Sequence, residues 1–296
     1  MAKTREIKGR IKAIGNIERI TKTMQMIATA RFQAALRSAT DTQPYTKKIA
    51  ELVGELASSC GGQQDDALAH PLLRTTPKSG RQLLLVITSN RGLCGGYNAG
   101  VLRAADAVIK QQTSGLNLEV VGRKGAAYFR FTGTPVDAIH TDFGDKPAYG
   151  QVEQLAEQYM RHFVAGKCDT ISVAFMSFQT VARQTPEVVN LLPLADPLAE
   201  SDSGSPPAAA STVYDFSPGS QQLLDQILPI TVKSRLFQCF NEAIVSEHIA
   251  RMVAMKNATD SAVTMGKELT RKYNRARQSA ITTELSEIIG GAAALQ

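Results

Sequence analysis

The side chains best suited to chemistry in this sequence are four cysteines (Cys60, Cys94, Cys168, Cys239) and four histidines (His70, His140, His162, His248). A metal centre needs donors at repeated short spacing, and a dithiol redox couple needs a Cys-x-x-Cys pair. Neither pattern occurs, and no paired carboxylates stand out. The thiols read as buried groups of a reducing compartment, with no metal and no cofactor expected. One glycine-rich turn remains, Ser89-Asn90-Arg91-Gly92-Leu93-Cys94-Gly95-Gly96-Tyr97-Asn98. It follows a strand-like run and precedes a helix-like one, where α/β sheets hold phosphates. It matches neither G-x-G-x-x-G nor G-x-x-x-x-G-K-[ST], and no acidic residue stands where a ribose contact is expected. The glycines are expected to serve a tight turn. Cys94 would be a nucleophile only beside a base, and the sequence sets none next to it, so a packing role is expected.

The loop is positioned by an alternating middle region. Leu83–Thr88 is a short apolar run rich in β-formers, and Leu118–Val121, Ile171–Phe178 and Val188–Leu192 are further strand candidates. Helix-like stretches cover Ala99–Gln112, Gly125–Phe131 and Gln151–Val164. Strands alternating with helices indicate an α/β layer on a mostly parallel sheet over 80–198. A polar, proline-rich linker spans 199–211.

Proline sets the limits of this region. All twelve prolines lie between Pro44 and Pro229, which leaves 1–43 and 230–296 without one. Because proline breaks helix interiors, the ends read as long helices: 1–58, interrupted or kinked at Pro44, and 212–296, bent at Pro229. At about 1.5 Å per residue, Thr4 to Ser58 spans roughly 80 Å and Ile230 to Ile289 roughly 90 Å. Ser217 and Pro218 suit an N-cap and first helical position for the second, and Gly290 and Gly291 its end. Gly9, Gly15 and Gly266 each weaken their helix by about 1 kcal/mol relative to alanine. Ile7, Ile11, Ile14, Ile17, Ile20, Met24 and Ile27 form one apolar stripe. Ala250, Ala254, Ala258, Ala262, Met265, Leu269, Tyr273, Ala276 and Ala280 form another. Each stripe needs a partner, so the ends are expected to pair as an antiparallel coiled coil. The steps look too irregular for strict heptads, and no supercoil hand is drawn from them.

Composition narrows the function classes. No run of about 18 apolar residues occurs, so the chain is not expected to span a membrane alone. The start lacks an apolar signal core, which argues against secretion. Its basic, amphipathic pattern runs unbroken into the helix and so reads as structure rather than a transit peptide. The formal charge is +6, yet residues 1–40 hold nine basic groups against Glu6 and Glu18, a net of +7. That arm calls for an acidic partner. A basic coiled-coil nucleic-acid-binding protein is the alternative it raises, although interleaved aromatics and reading modules are missing. A small nucleotide-dependent enzyme on the α/β domain is the third reading.

Three long motifs in order carry a resemblance: KGRIKAIGNIERITKTMQMIATARF (Lys8–Phe32), SNRGLCGGYN (Ser89–Asn98), and SEHIARMVAMKNATD (Ser246–Asp260) with NRARQSAITTELSEIIGGAAAL (Asn274–Leu295). Together they resemble the gamma subunit of the rotary F-type ATP synthase. The resemblance implies an antiparallel coiled-coil shaft with an α/β domain at its foot. It implies a non-catalytic rotor that couples rotation of the membrane c-ring to ATP synthesis or hydrolysis at the beta subunits. The implied partners are the alpha–beta ring, epsilon and the c-ring, at the cytoplasmic face of a bacterial inner membrane, where the chain is peripheral. By motif, Met24 lies where the family shaft passes the beta lever. Arg277, Gln278 and Thr282 match positions contacting a beta loop, and Arg251 belongs to the same coupling region. Met24 otherwise reads as a core residue of its stripe, and Arg251 and Arg277 as a solvated face. Near the c-ring many relatives carry a YxYEP-like glutamate; here Tyr214-Asp215-Phe216-Ser217-Pro218 stands instead, which puts that contact at issue, with Asp215 nearby. The cysteine-bearing segment of the light-regulated chloroplast form is absent, so thiol control is not expected.

Overall fold

The computed structural model describes residues 2–60, 71–73, 81–112, 115–144, 146–194 and 220–293. The elements are α1 (Ala2–Cys60), β1 (Gln82–Ile87), α2 (Tyr97–Gln111), β2 (Leu116–Val121), α3 (Arg123–Thr132), β3 (Ala138–His140), α4 (Tyr149–Val164), β4 (Thr170–Phe178), β5 (Gln184–Leu192) and α5 (Ser220–Ala293). The five strands form one sheet in the order β3-β2-β1-β4-β5. All neighbours are parallel except β4 and β5, an antiparallel hairpin at the edge. β3 has only three residues and escaped the sequence reading. Its half-exposed alternation leaves too short an apolar run to register as a strand.

The contacts divide the chain into two units that do not follow helix boundaries: 31–250, and 1–30 with 251–296. In the first, alternation along β1 sends Leu83, Leu85 and Ile87 to one face of the sheet and Leu84 and Val86 to the other. The first face is covered by α4, through Val152, Leu155, Tyr159 and Phe163, and by α5, through Leu228, Val232, Leu236 and Phe240. The second is covered by Tyr97, Val101 and Leu102 of α2 and Phe129 of α3. Each of these fully buried side chains contributes about 1.5–3 kcal/mol. Two glycines let the ends of β1 and β2 approach. Gly122 has φ +93°, and a Cβ there would lie 2.3 Å from the Thr88 carbonyl oxygen, while at Gly125 one would meet Thr88 and Val120 side chains at 2.7 Å.

Pro44, expected to kink or interrupt the first helix, and Pro229, expected to bend the second, both lie inside continuous helix, in α1 and α5, so α1 is not interrupted at Pro44. A helix-interior proline costs about 3 kcal/mol. At Pro229 the fully buried neighbours Leu228 and Val232 fix the chain in helical form; near Pro44, Ile49 is buried in the same core. Gly290 and Gly291 do not end α5, which runs to Ala293. The linker 199–211 and the proposed cap Ser217-Pro218 lie outside the described residues.

The second unit is an antiparallel helix pair. Thr21 Oγ1 lies 2.8 Å from Thr259 Oγ1. A Cβ on Gly266 would meet Ile14 at 3.9 Å. Both pairs have residue numbers summing to 280, which fixes the register. One series of protected positions on α1 runs Ile7, Ile11, Ile14, Glu18, Thr21, Gln25 and Ala28, and its counterpart on α5 runs Met252, Met255, Thr259, Ala262, Gly266, Leu269, Tyr273, Ala276 and Ala280. Gly15 and Thr29, and Arg251, Ala254, Ala258 and Val263, are half-buried beside these series. Both series alternate steps of four and three without a break. The seam is therefore a strict heptad, the spacing that imposes a left-handed supercoil; the irregularity read from the sequence belonged to the apolar stripe, not to the seam. The stripe leaves the seam at Ile17. Going 14→17→20 takes two steps of three, whereas the seam goes 14→18→21, so the two diverge by one residue, about 100°.

Candidate interaction surface

The helix pair presents three features on its outside. The first is apolar. Ile17 (51 % exposed), Ile20, Met24 (38 %) and Ile27 follow one another at steps of three and four on the open side of α1, and Val253 and Met265 are exposed on α5. Met24 is thus not part of the core between the helices, contrary to the core reading of its stripe, and its side chain is open to a partner. The second feature is charge. Residues 1–30 and 251–296 hold fourteen Lys and Arg against six Asp and Glu, a formal +8 that exceeds the +6 of the whole chain. Arg10 is paired with Glu6 at 2.7 Å, with both groups largely exposed; such a pair contributes well under about 1 kcal/mol. Lys8, Lys12, Lys22, Lys267, Arg271 and Lys272 are exposed. The third feature is the end of α5. Register pairs Ala276 with Thr4, close to the first described residues of α1. Residues 281–290 are all exposed, and Ile281, Leu285, Ile288 and Ile289 recur on one face at helical spacing. A helix of this amphipathicity needs something to pack on.

Arg277, Gln278 and Thr282 lie at the start of that uncovered end, all exposed. Gln278 and Thr282 are four apart on one face, and Thr282 Oγ1 donates to the Gln278 carbonyl at 3.0 Å. Arg251 is half-buried, so the solvated-face reading does not hold for it. By the register Met24 stands at the level of Lys256, near Arg251. Arg277 is 21 residues further on, about 30 Å along α5. The structure therefore brings Met24 and Arg251 to neighbouring levels and places Arg277, Gln278 and Thr282 apart from them. Tyr214 and Asp215 lie outside the described residues. The sequence reading missed Ile17, Ile20 and Ile27 as surface, and Ile281, Leu285, Ile288 and Ile289 as an uncovered stripe. Counting steps of three against four would have separated the first group from the seam.

The glycine-rich loop turns through Leu93 (φ 65°) and Gly95 (φ 56°). Its polar groups are engaged with one another. The Ser89 N–H donates to Asn98 Oδ1 at 3.0 Å, Ser89 Oγ donates to the Arg91 carbonyl at 2.7 Å, and Asn98 Nδ2 donates to Cys94 Sγ at 3.2 Å. Asn90 bridges outward, donating to the Phe143 carbonyl at 2.9 Å and accepting from the Arg123 N–H at 3.2 Å. Cys94, 2 % exposed, packs against α2. The loop is a structural corner at the point where strand order reverses between β1 and β4. Cys239 is fully buried, and burial pushes its thiol up to about 12; burial also raises Cys168, with the Glu119 charge adding to it. Neither is a nucleophile at neutral pH. Among the described residues no cluster of His, Cys, Asp or Glu could hold a metal ion, and no helix is long and apolar enough to cross a membrane.

Comparison with known proteins identifies the family of the chain. The family model described as "ATP synthase" matches residues 3–295. The ATP synthase gamma chain of Rhodopirellula baltica is 41 % identical over the whole of both chains. That of Desulfitobacterium hafniense is 36 % identical, again over the full length of both. Among solved structures, a chain of the Euglena gracilis mitochondrial ATP synthase (OSCP/F1/c-ring) matches with TM-score 0.67 at 19 % identity, covering 99 % of this chain and 95 % of that one. A chain of the rotor of the same enzyme matches with TM-score 0.64 at 17 % identity, covering 95 % and 99 %. At such identities the structures speak to the fold alone. The sequence matches speak to descent: the chain belongs to the ATP synthase family, among the gamma chains, the non-catalytic rotor subunits of the central stalk. No observation favours the nucleic-acid alternative.

Proposed function

We propose that this chain is the axle of a proton-translocating F-type ATP synthase, turned by the membrane c-ring and turning inside a ring of alpha and beta subunits. The observation that carries the reading is the helix pair itself. One register-locked coil combines a net charge of +8 with an exposed apolar stripe along one side of α1 and an exposed amphipathic end. A rotor can drive a partner's conformational equilibrium only if its interaction energy changes with orientation. A coil apolar on one side and basic elsewhere meets that condition, whereas a symmetric one does not. Met24 and Arg251 at one level, and Arg277, Gln278 and Thr282 at another, are the contacts assigned to beta. Tyr214 and Asp215 are assigned to the side facing the c-ring and epsilon. In domain terms, 1–58 and 212–296 are the shaft helices, 80–198 the α/β foot and 199–211 the linker. The protein sits peripherally at the cytoplasmic face of the bacterial inner membrane, held there by the complex.

The test is assembly and rotation. The purified chain is mixed with the cognate alpha and beta subunits, and a bead on the α/β domain is watched under ATP. Directional turning is the expected result. A chain that forms no stable complex with alpha and beta would sink the proposal.

A further inference from the structure

In the α/β unit, α5 is gripped between Leu228 and Ala243, and the grip has two unlike parts. Leu228, Val232, Leu236, Phe240 and Ala243 are at most 1 % exposed. Apolar burial of this kind is non-directional; it resists separation but exchanges one contact for another when a helix rotates about its axis. The polar part has direction. Lys233 Nζ donates to Glu153 Oε1 at 2.8 Å and to Glu157 Oε1 at 2.7 Å, both on α4. Glu242 Oε2 accepts from Ser177 Oγ at 3.1 Å and from the Phe178 N–H at 3.3 Å, at the end of β4. Gln238 Nε2 donates to Glu242 Oε1 at 2.9 Å and holds the carboxylate in place. Lys233 and Glu242 are nine residues apart, which is two and a half turns and about 13 Å along the helix. They therefore leave α5 on opposite sides and reach different elements. Two ties on opposite sides of a cylinder form a couple against rotation about its axis.

We propose that Lys233 and Glu242 are torque-bearing positioning residues, which stop α5 from turning in its apolar seat when force is applied to the α/β domain. The assignment rests on the rotor reading above. It explains why polar ties are kept at a site where burial alone would hold the helix. The partly exposed Lys233 pairs add little to stability, so Lys233→Met leaves the melting temperature nearly unchanged, whereas losing the Glu242 carboxylate removes a charged acceptor from Ser177 and the Phe178 N–H and lowers it.

The experiment uses the chain assembled with alpha and beta subunits, a bead coupled through Lys110→Cys on the exposed side of α2, and the angular variance recorded during a catalytic dwell. Ring contacts of Phe240 on Phe143 and of Phe237 on Tyr149 are also present at this seat. Removing both polar ties should raise the variance above the wild-type value. Lys233→Met with Glu242→Ala is expected to do this with the hydrolysis rate unchanged and a lowered melting temperature, Lys233→Met alone with both unchanged, and Lys233→Arg with Glu242→Gln is expected to restore stiffness. Wild-type variance in the Met/Ala pair would overturn the assignment. If that pair does not assemble, Lys233→Met against Lys233→Arg makes the same comparison, and equal variances would overturn it equally. A wild-type assembly that does not turn under ATP would instead bring down the rotor reading, and this assignment with it.

Discussion

Removing the carboxylate of Glu119 tests the packing of the α/β unit more sharply than any apolar truncation. Glu119 lies on β2, 6 % exposed, and faces α4. Its Oε2 accepts from Tyr159 Oη at 2.7 Å and meets His140 Nε2 of β3 at 2.9 Å. It thus joins the shortest strand of the sheet to the helix beneath. Burial pushes this carboxyl up. The hydrogen bonds from His140 and Tyr159, with the charges of His140 and His162, outweigh that effect and hold it below the ordinary carboxylate range. Burial and the same carboxylate raise the Tyr159 phenol well above its ordinary value, so it remains a donor. In Glu119→Leu the Tyr159 hydroxyl, fully buried, loses its acceptor at a cost of about 1–3 kcal/mol, and the lost charge-assisted bond adds about 1.5–3 kcal/mol. His140 is partly exposed and can turn to water, so it adds little. We expect a loss of about 3–5 kcal/mol for Glu119→Leu and about 1–2 kcal/mol for Glu119→Gln, which keeps an acceptor for Tyr159.

The pH dependence fixes the sign independently. A folded-state value below the unfolded one means that the ionised carboxylate favours folding. Its contribution is present above the unfolded carboxylate range and is lost as pH falls through the lowered folded value. Urea unfolding followed from pH 7 to pH 3 should therefore show wild type and Glu119→Gln converging on the acid side. A double-mutant cycle with Tyr159→Phe should give a coupling of about 1–3 kcal/mol. A coupling near zero, or a gap between wild type and Glu119→Gln that widens in acid, would refute the account.

Gly266→Ala should stabilise the helix pair by about 1 kcal/mol, since a helix-interior glycine is removed and the new Cβ meets Ile14 at an ordinary 3.9 Å; hydrogen exchange over residues 259–273 measures it, and faster exchange would count against the register. Met24→Lys, at a position 38 % exposed, should change stability by less than about 0.5 kcal/mol while lowering protons pumped per ATP hydrolysed, with hydrolysis largely retained; normal pumping in inverted vesicles would remove Met24 from the coupling contact. Truncation from Glu287 onward should weaken co-purification with alpha and beta and leave the melting of the α/β unit unchanged. Thr21→Val with Thr259→Val should raise the thermal stability of the coil by about 1 kcal/mol yet broaden the spin-label distance distribution across it; a single sharp distance would show that the hydroxyl pair does not set the register.

The α/β layer was legible because its signals are local. Leu83–Thr88 is a continuous apolar run, and the turns flanking it are built from glycine. The long helices were legible from missing proline, and they continue through Pro44 and Pro229 because a local cost is offset by tertiary burial that no window of sequence displays. The seam was misread for a related reason. Isoleucines 17, 20 and 27 are the most apolar residues nearby, but the register gives the buried positions to Glu18, Thr21 and Gln25. Hydrophobicity identified a helix face; only the partner helix decides which face is covered. Arg251, whose reading apart from the resemblance is a solvated face, is half-buried.

Those polar seam residues bear on what the coil is for. A strict heptad filled with leucine would be more stable, but its registers, offset by seven residues, would be nearly equal in energy. Polar groups at single seam positions penalise every register except the one that pairs them. Here the Thr21 hydroxyl accepts from Thr259 and donates to the Glu18 carbonyl at 3.0 Å. Stability is exchanged for a single alignment, and the strongest apolar residues are left outside for a partner. A scaffold that only had to hold together would do the opposite. A coil that must present Met24 and Arg277 at fixed heights to different parts of a surrounding ring needs one register more than it needs the last few kcal/mol.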